Sequence, residues 1–344
     1  MVDLRSDTVT KPTSKMHQVM REAEVGDDGF GDDPTINRFE KIAAECVGQE
    51  EALFVPSGTM GNLIAIMVHT KPGDGLVCDR FAHINTMVAG STSALTGTTI
   101  CPLDLDDSSS FEPDALESLI NLDDTRFPKT SLIVLENTNN LAGGTVVTAE
   151  KTAGIFRIAK KYNLSFHLDG ARIFNSAVAQ GVEVAELTRN CDSVMFCISK
   201  GLASPVGSII AGTKGFIKDA RRKKKMLGGV MRQTGILAAC GIVSLEEMVD
   251  RLEEDHENAK YLANCLDEID GFSVKLKSVQ TNIVCFKFEM TGLSCKEFVE
   301  KVAKKGIKLV HIIRDTGRMV THKDLNKSDI EYALNVIKNT VLKC

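Results

Sequence analysis

Between about residue 50 and residue 250 the chain alternates short apolar, β-branched runs with longer stretches of helical period. A parallel strand pair needs a helix-length crossover, so this alternation specifies a mainly parallel sheet covered by helices. The runs place strands at Gly75–Asp79, Thr98–Pro102, Ser131–Glu136, Ser165–Asp169, Ser193–Ser199 and Val206–Ala211. Several are continuously apolar, as burial on both faces requires. Gln233–Met248 reads as an apolar helix, and the amphipathic Val249–Ile269 as a hinge helix. A boundary near 250 then separates a large α/β domain, 1–250, from a small α+β domain, 251–344. In the latter, strands are expected at Phe272–Lys277, Asn282–Phe288 and near Arg318–Thr321, with helices at Ser294–Lys304 and Ser328–Lys343. Asp104–Ser110 reads as a surface loop.

Charge and cysteine usage narrow the function. Forty-one basic against 46 acidic side chains give a net charge of −5, with no global positive field for nucleic acid. A chain of 344 residues can bury its core without staples, and its ten cysteines form no C-x-x-C pair. Reduced thiols and a cytoplasmic setting are therefore expected. The N-terminal MVDLRSDTVTKPTSK has no apolar secretory core, and no run approaches a membrane span. Seven histidines without H-E-x-x-H or paired spacing give no catalytic metal site.

Three segments could carry chemistry. In an open parallel sheet, ligands sit beyond the carboxyl ends of the strands, where Ser165–Asp169 places Asp169 ahead of Gly170 and Arg172. Taken singly, Asp169 also reads as a helix cap. The Ser193–Ser199 run ends at Lys200, which in an enclosed crevice can lose its proton and form an imine, or in isolation is a solvated lysine. Together, an imine-forming lysine and a carboxylate are what pyridoxal phosphate needs, the carboxylate meeting its ring nitrogen. Pro56–Asn62 (PSGTMGN) is a small-residue turn entering an apolar helix, where free N–H groups and the Ser57 or Thr59 hydroxyl suit a phosphate. No glycine fingerprint of a nucleotide-binding fold occurs.

The chain resembles the low-specificity L-threonine aldolases, fold-type I pyridoxal phosphate enzymes, nearly end to end. LRSDTVTKP, FVPSGTMGN, HLDGARIFN, KMLGG, DHENA and RMVTHKD follow the order of that family. The resemblance implies a seven-stranded sheet in the large domain, a residue 1–14 segment reaching the active site, and cleavage of L-allo-threonine or L-threonine to glycine and acetaldehyde. It implies catalytic roles for Lys200, His83 and Asp169, with His83 stacked on the cofactor ring. It also implies phosphate binding by Gly58 and Thr59, cofactor contact by Arg172, and a substrate-carboxylate grip by Arg172 and Arg318 assisted by Ser6 and flanked by His83. Lys225 and Arg232 would reach the cofactor phosphate of a neighbouring subunit, in a homotetramer with shared sites. Elimination or transamination on the same scaffold is the alternative chemistry.

Departures fall at the substrate end. Arg126 stands in T-R-F-P where the family has histidine near the substrate hydroxyl, and Asn139 replaces a second histidine. Phe30 replaces a tyrosine, and Val230 a third glycine.

Overall fold

The computed structural model describes residues 1–106 and 109–342. Its central sheet has seven strands in the spatial order Glu51–Val55, Ser208–Gly212, Ser193–Cys197, Ser165–Asp169, Thr130–Glu136, Gly75–Asp79 and Thr99–Leu103. Only Ser208–Gly212 runs against its neighbours. The six expected strands are all present, Gly75–Asp79 and Ser165–Asp169 with the expected bounds and the others with ends moved by one or two residues. The seventh, Glu51–Val55, has the sequence EALFV, whose Glu and Ala are poor strand formers.

Chain order reverses between Gly75–Asp79 and Thr130–Glu136, because the chain leaves the former for the edge strand and returns on its other side. Such a reversal opens a crevice at the carboxyl ends of the strands. Glu136 and Asp169 stand side by side there, paired in parallel register. On one face the sheet packs against helices Pro34–Cys46 and Gly235–Glu247, through Phe39, Phe54, Ala238 and Cys240. The opposite face takes helices Gly58–His69 and Lys214–Met226, through Leu53, Ile64, Met195 and Ile217.

A second apolar core gathers residues 259–341 around four phenylalanines, Phe272, Phe286, Phe288 and Phe298, with ring centroids 4.6–5.4 Å apart. It covers an antiparallel sheet ordered Val310–Ile313, Thr316–Val320, Ile283–Phe288 and Phe272–Val274. Val2 and Leu4 belong to this core, and Val2–Asp3 pairs in parallel with Ile307–Lys308. The N-terminus is thereby tied to the C-terminal unit and led past the crevice, which delivers Ser6 and Asp7 to it.

Several boundaries differ from expectation. Val249–Ile269 is not helical throughout: the helix covers Leu252–Asp267, after a turn that follows Gly235–Glu247. Phe272–Lys277 splits into a three-residue strand and a 3-10 turn at Leu276–Ser278. The loop expected at Asp104–Ser110 falls partly on 107 and 108, outside the described residues, yet Ser109 and Ser110 are buried rather than solvated. The last helix is seen over Lys327–Val341, and Lys343 lies outside the described residues.

Candidate active site

A cavity of about 290 Å3 lies at the crevice. Its wall includes Ser6, Gly58, Thr59, His83, Asp169, Arg172, Lys200 and Arg318. Eight residues proposed from six separate stretches of sequence therefore share one cavity. A more open cleft of about 890 Å3 near Asp79, Asn139 and Gln280 contains none of them.

Local structure explains each placement. Ser57 caps helix Gly58–His69, its Oγ accepting from Met60 N at 3.2 Å. The preceding amides, at Gly58 and Thr59, have no acceptor within the described chain and face the cavity as a helix N-terminus does. A Cβ on Gly58 would come within 2.9 Å of Cys197 Sγ, so the close approach of this turn to the strand ends requires glycine. Lys200 leaves the strand ending at Cys197 and is fixed by its backbone, whose carbonyl accepts from Thr10 Oγ1 at 2.8 Å. Among the described residues its ammonium makes no hydrogen bond or ion pair, and it is free to react.

Asp169 does not cap the following helix, whose N-cap is Arg172. Its Oδ1 accepts from Ala171 N at 3.2 Å and its Oδ2 from Asn62 Nδ2 at 2.7 Å. His83 opens a short helix, and its backbone N–H donates to Glu136 Oε2 at 2.8 Å. Burial lowers its imidazole pKa, as do the charges of Lys200 and Arg172, against the pull of Asp169.

The carboxylate end is electrically unbalanced. Arg172 is clamped by Asp7, while among the described residues Arg318 donates only to neutral oxygens, Asn140 Oδ1 at 2.7 Å and Arg5 O at 3.2 Å. Among the described residues Arg318 Nε is buried without a partner. Burial and the Arg172 charge both lower the Arg318 pKa. Two buried guanidinium groups facing one carboxylate call for a second anion. Ser6 stands beside them, its Oγ accepting from Thr8 N and Thr8 Oγ1.

Lys225 and Arg232 do not line this cavity. Both are exposed, and Arg232 pairs with Asp27 at 3.3 Å, whereas the buried lysine of that basic run is Lys224, paired with Asp28 at 3.0 Å. Arg126 is also exposed, paired with Asp124 and lying over the Phe127 ring. Asn139 turns away from the cavity, bonding Asp79 Oδ2 and Ala142 N. Among the described residues, no group of three His, Cys, Asp or Glu side chains could hold a metal ion.

Sequence reasoning missed Asp7, Asn62, Glu136, Thr138 and Asn140. Glu136 had the same signal as Asp169, a carboxylate closing an apolar strand. Its two oxygens accept from His83 N and Asn140 N, and burial together with the neighbouring Asp169 charge pushes its carboxyl up to about 7.

The donor set fits pyridoxal phosphate: a helix N-terminus for the phosphate, Lys200 for the carbonyl carbon, Asp169 for the ring nitrogen. Thr138 Oγ1, buried in the wall without a partner among the described residues, is a further group that a ligand could satisfy. Comparison with known proteins points to the same cofactor. The family model described as beta-eliminating lyase matches residues 3–289. A low-specificity L-threonine aldolase of Escherichia coli K12 is 44% identical over 268 residues, 78% of this chain and 80% of that protein. Low-specificity L-threonine aldolase 1 of Arabidopsis thaliana is 39% identical over 99% of this chain and 96% of its own. Among solved structures, a threonine aldolase of Leishmania major superposes with a TM-score of 0.84 at 18% identity, covering 99% of this chain and all of that one.

Proposed function

The chain belongs to the beta-eliminating lyase family, and on that premise we propose that it cleaves L-allo-threonine or L-threonine to glycine and acetaldehyde with pyridoxal phosphate. The carrying observation is the convergence of Lys200, Asp169, the Gly58–Thr59 helix start and the Arg172–Arg318 pair on one cavity. When bound, pyridoxal phosphate supplies a carbonyl that joins amines and a ring that withdraws electrons from the substrate α-carbon. The protein does the rest. Lys200, whose ammonium is unpaired among the described residues, would hold the cofactor through that amine. Arg172 and Arg318, with Ser6, grip the substrate carboxylate, which supplies the missing anion. His83, kept neutral by burial, takes the β-hydroxyl proton directly or through a water while the Cα–Cβ bond breaks. Asp169, in the cavity wall, would pair with the ring nitrogen and keep a proton on it.

Exposed Lys225 and Arg232 support a shared site in which each reaches the phosphate of a neighbouring subunit, within a homotetramer. A cytoplasmic setting is supported by the free thiols of the described cysteines. No helix among the described residues is long and apolar enough to cross a membrane.

The test offers L-allo-threonine, L-threonine, L-serine and L-cysteine to cofactor-loaded protein and measures acetaldehyde and pyruvate. Acetaldehyde with glycine is expected, lost in Lys200→Ala. Pyruvate from serine or cysteine without acetaldehyde would instead establish elimination.

A further inference from the structure

Behind Asp169 runs a buried chain of polar side chains that the proposed reaction does not use. Asn62 Nδ2 donates to Asp169 Oδ2 at 2.7 Å, and Asn62 Oδ1 faces His167 Nε2 at 3.0 Å. His167 Nδ1 faces Ser193 Oγ at 2.8 Å, and the same Ser193 Oγ faces His69 Nε2 at 2.8 Å. Helix Gly58–His69 supplies both Asn62 and His69, seven residues apart on one face. The sheet supplies His167 and Asp169, two apart on one strand, with Ser193 opposite His167 on the next. Asn62, His167 and Ser193 are almost wholly buried, and His69 stacks on Phe216 with centroids 5.0 Å apart.

Donor logic gives this chain a direction. A carboxylate accepts, so Asn62 must present its NH2 to Asp169 and its oxygen to His167. His167 then carries its proton on Nε2 and accepts at Nδ1. Ser193 must donate to that nitrogen, which leaves its oxygen to accept from His69 Nε2–H. Every hydrogen points toward Asp169. Burial lowers both imidazoles, His167 to about 3 and His69 to about 4, so neither brings a positive charge. Asp169 is thus held by neutral donors alone and forms no ion pair among the described residues. Asp7, by contrast, is paired with Arg172.

We propose that Asn62 and His167 are positioning residues for the cofactor, a one-way donor chain that orients the Asp169 carboxylate and leaves its charge for the protonated ring nitrogen of pyridoxal phosphate. This rests on the function proposed above. An apolar ladder would pack the helix to the sheet as well, and a buried polar network adds little stability relative to apolar packing. The fully satisfied, directional arrangement ends at the one cavity carboxylate that the cofactor needs.

The test titrates pyridoxal phosphate into wild type, Asn62→Leu, His167→Phe and His167→Gln, recording affinity and the absorbance of the bound cofactor. Asn62→Leu, which removes the hydrogen bond to the Asp169 carboxylate, is expected to weaken binding about tenfold or more, and His167→Phe, which frees Asn62 to turn, to weaken it several-fold. Both should shift the absorbance toward that of cofactor with an unprotonated ring. His167→Gln, which keeps an N–H toward Asn62, restores most of both. Ser193→Ala, which frees the His167 tautomer, gives a smaller shift of the same sign and carries the test if His167→Phe does not fold. Wild-type absorbance and affinity in folded Asn62→Leu and His167→Phe, or equal impairment in the Gln and Phe variants, would overturn the inference. A wild-type protein that takes up no pyridoxal phosphate would overturn the proposed function instead.

Discussion

Arg172 meets Asp7 through two parallel hydrogen bonds, Nε to Oδ2 and Nη2 to Oδ1, both 2.7 Å long and spanning 165 residues of sequence. Asn282 Nδ2 adds a third donor to Asp7 Oδ2 at 3.1 Å. The guanidinium plane is therefore fixed before any substrate arrives, with Nη1 left for a carboxylate. Such preorganisation lowers the entropy lost on binding.

Asp7→Ala should accordingly raise KM for L-allo-threonine more than it lowers kcat, and should destabilise the fold by about 3–5 kcal/mol, the usual cost of stranding a buried charge. Burial alone would push the Asp7 carboxyl up, but the Arg172 charge and its hydrogen bonds hold it well below the usual range. Its stabilising contribution is complete above the unfolded carboxylate pKa and is lost as pH falls below it. Urea unfolding between neutral pH and pH 3 should show the gap between wild type and Asp7→Ala narrowing by about 1 kcal/mol at the acid end. Parallel curves would mean that the Asp7 carboxyl titrates alike in the folded and unfolded chain.

The two buried imidazoles add a second acid-sensitive contribution. His69 and His167 are lowered from about 6.5 to about 4 and about 3 by burial. Below 6.5 the unfolded chain binds protons that the folded chain refuses, so stability falls with pH from that point, by about 3 kcal/mol per imidazole at pH 4. His69→Phe keeps the stack on Phe216 and removes one of the two, so its stability curve between pH 6.5 and 4 should be shallower than wild type. An unchanged slope would show that His69 titrates normally.

How much of this the sequence revealed depended on whether the backbone alone aims the residue. Asp169 and Lys200 were legible because a strand end in a parallel sheet points its residue at the crevice wherever the other strands lie. Glu136 obeyed the same rule and was passed over. Asp7 was hidden because its partner is far off in sequence, and only the pairing of Val2–Asp3 with Ile307–Lys308 brings the N-terminus across. His167 and Asn62 were hidden differently: each sits inside an apolar run, where a polar residue looks like an interruption until the facing element supplies its partner. Arg126 and Asn139 could be recognised as departures, but their positions outside the cavity could not be read from spacing.

Glu136 has the opposite linkage sign to the histidines. Burial and the Asp169 charge raise its carboxyl to about 7, so the folded chain holds a proton that the unfolded chain releases near 4.5. Its contribution to stability therefore declines as pH rises from 4.5 to 7. Difference infrared spectroscopy of the cofactor-free protein should show a protonated carboxyl band fading with a midpoint near 7. The band should be absent in Glu136→Gln, and its midpoint should move down in Asp169→Asn, which removes the like charge. A midpoint indifferent to Asp169→Asn would leave burial as the sole cause.

The shared active site can be tested by complementation. Lys200→Ala removes the imine-forming amine from a chain's own cavity, whereas Arg232→Ala removes a group exposed on that chain's surface. The Arg232 pair with Asp27 is solvent-screened and worth about 1 kcal/mol at most, so its removal should not unfold the protein. If Arg232 serves a neighbour, both single variants lose activity for different reasons. A mixed oligomer then contains some cavities whose intact Lys200 faces an intact Arg232 from the other chain. Co-refolding Lys200→Ala with Arg232→Ala should release acetaldehyde at a rate neither parent reaches, and omission of pyridoxal phosphate should abolish the gain. Arg232→Ala with full activity alone would remove this residue from the site, and a mixture no better than its parents would confine each site to one chain.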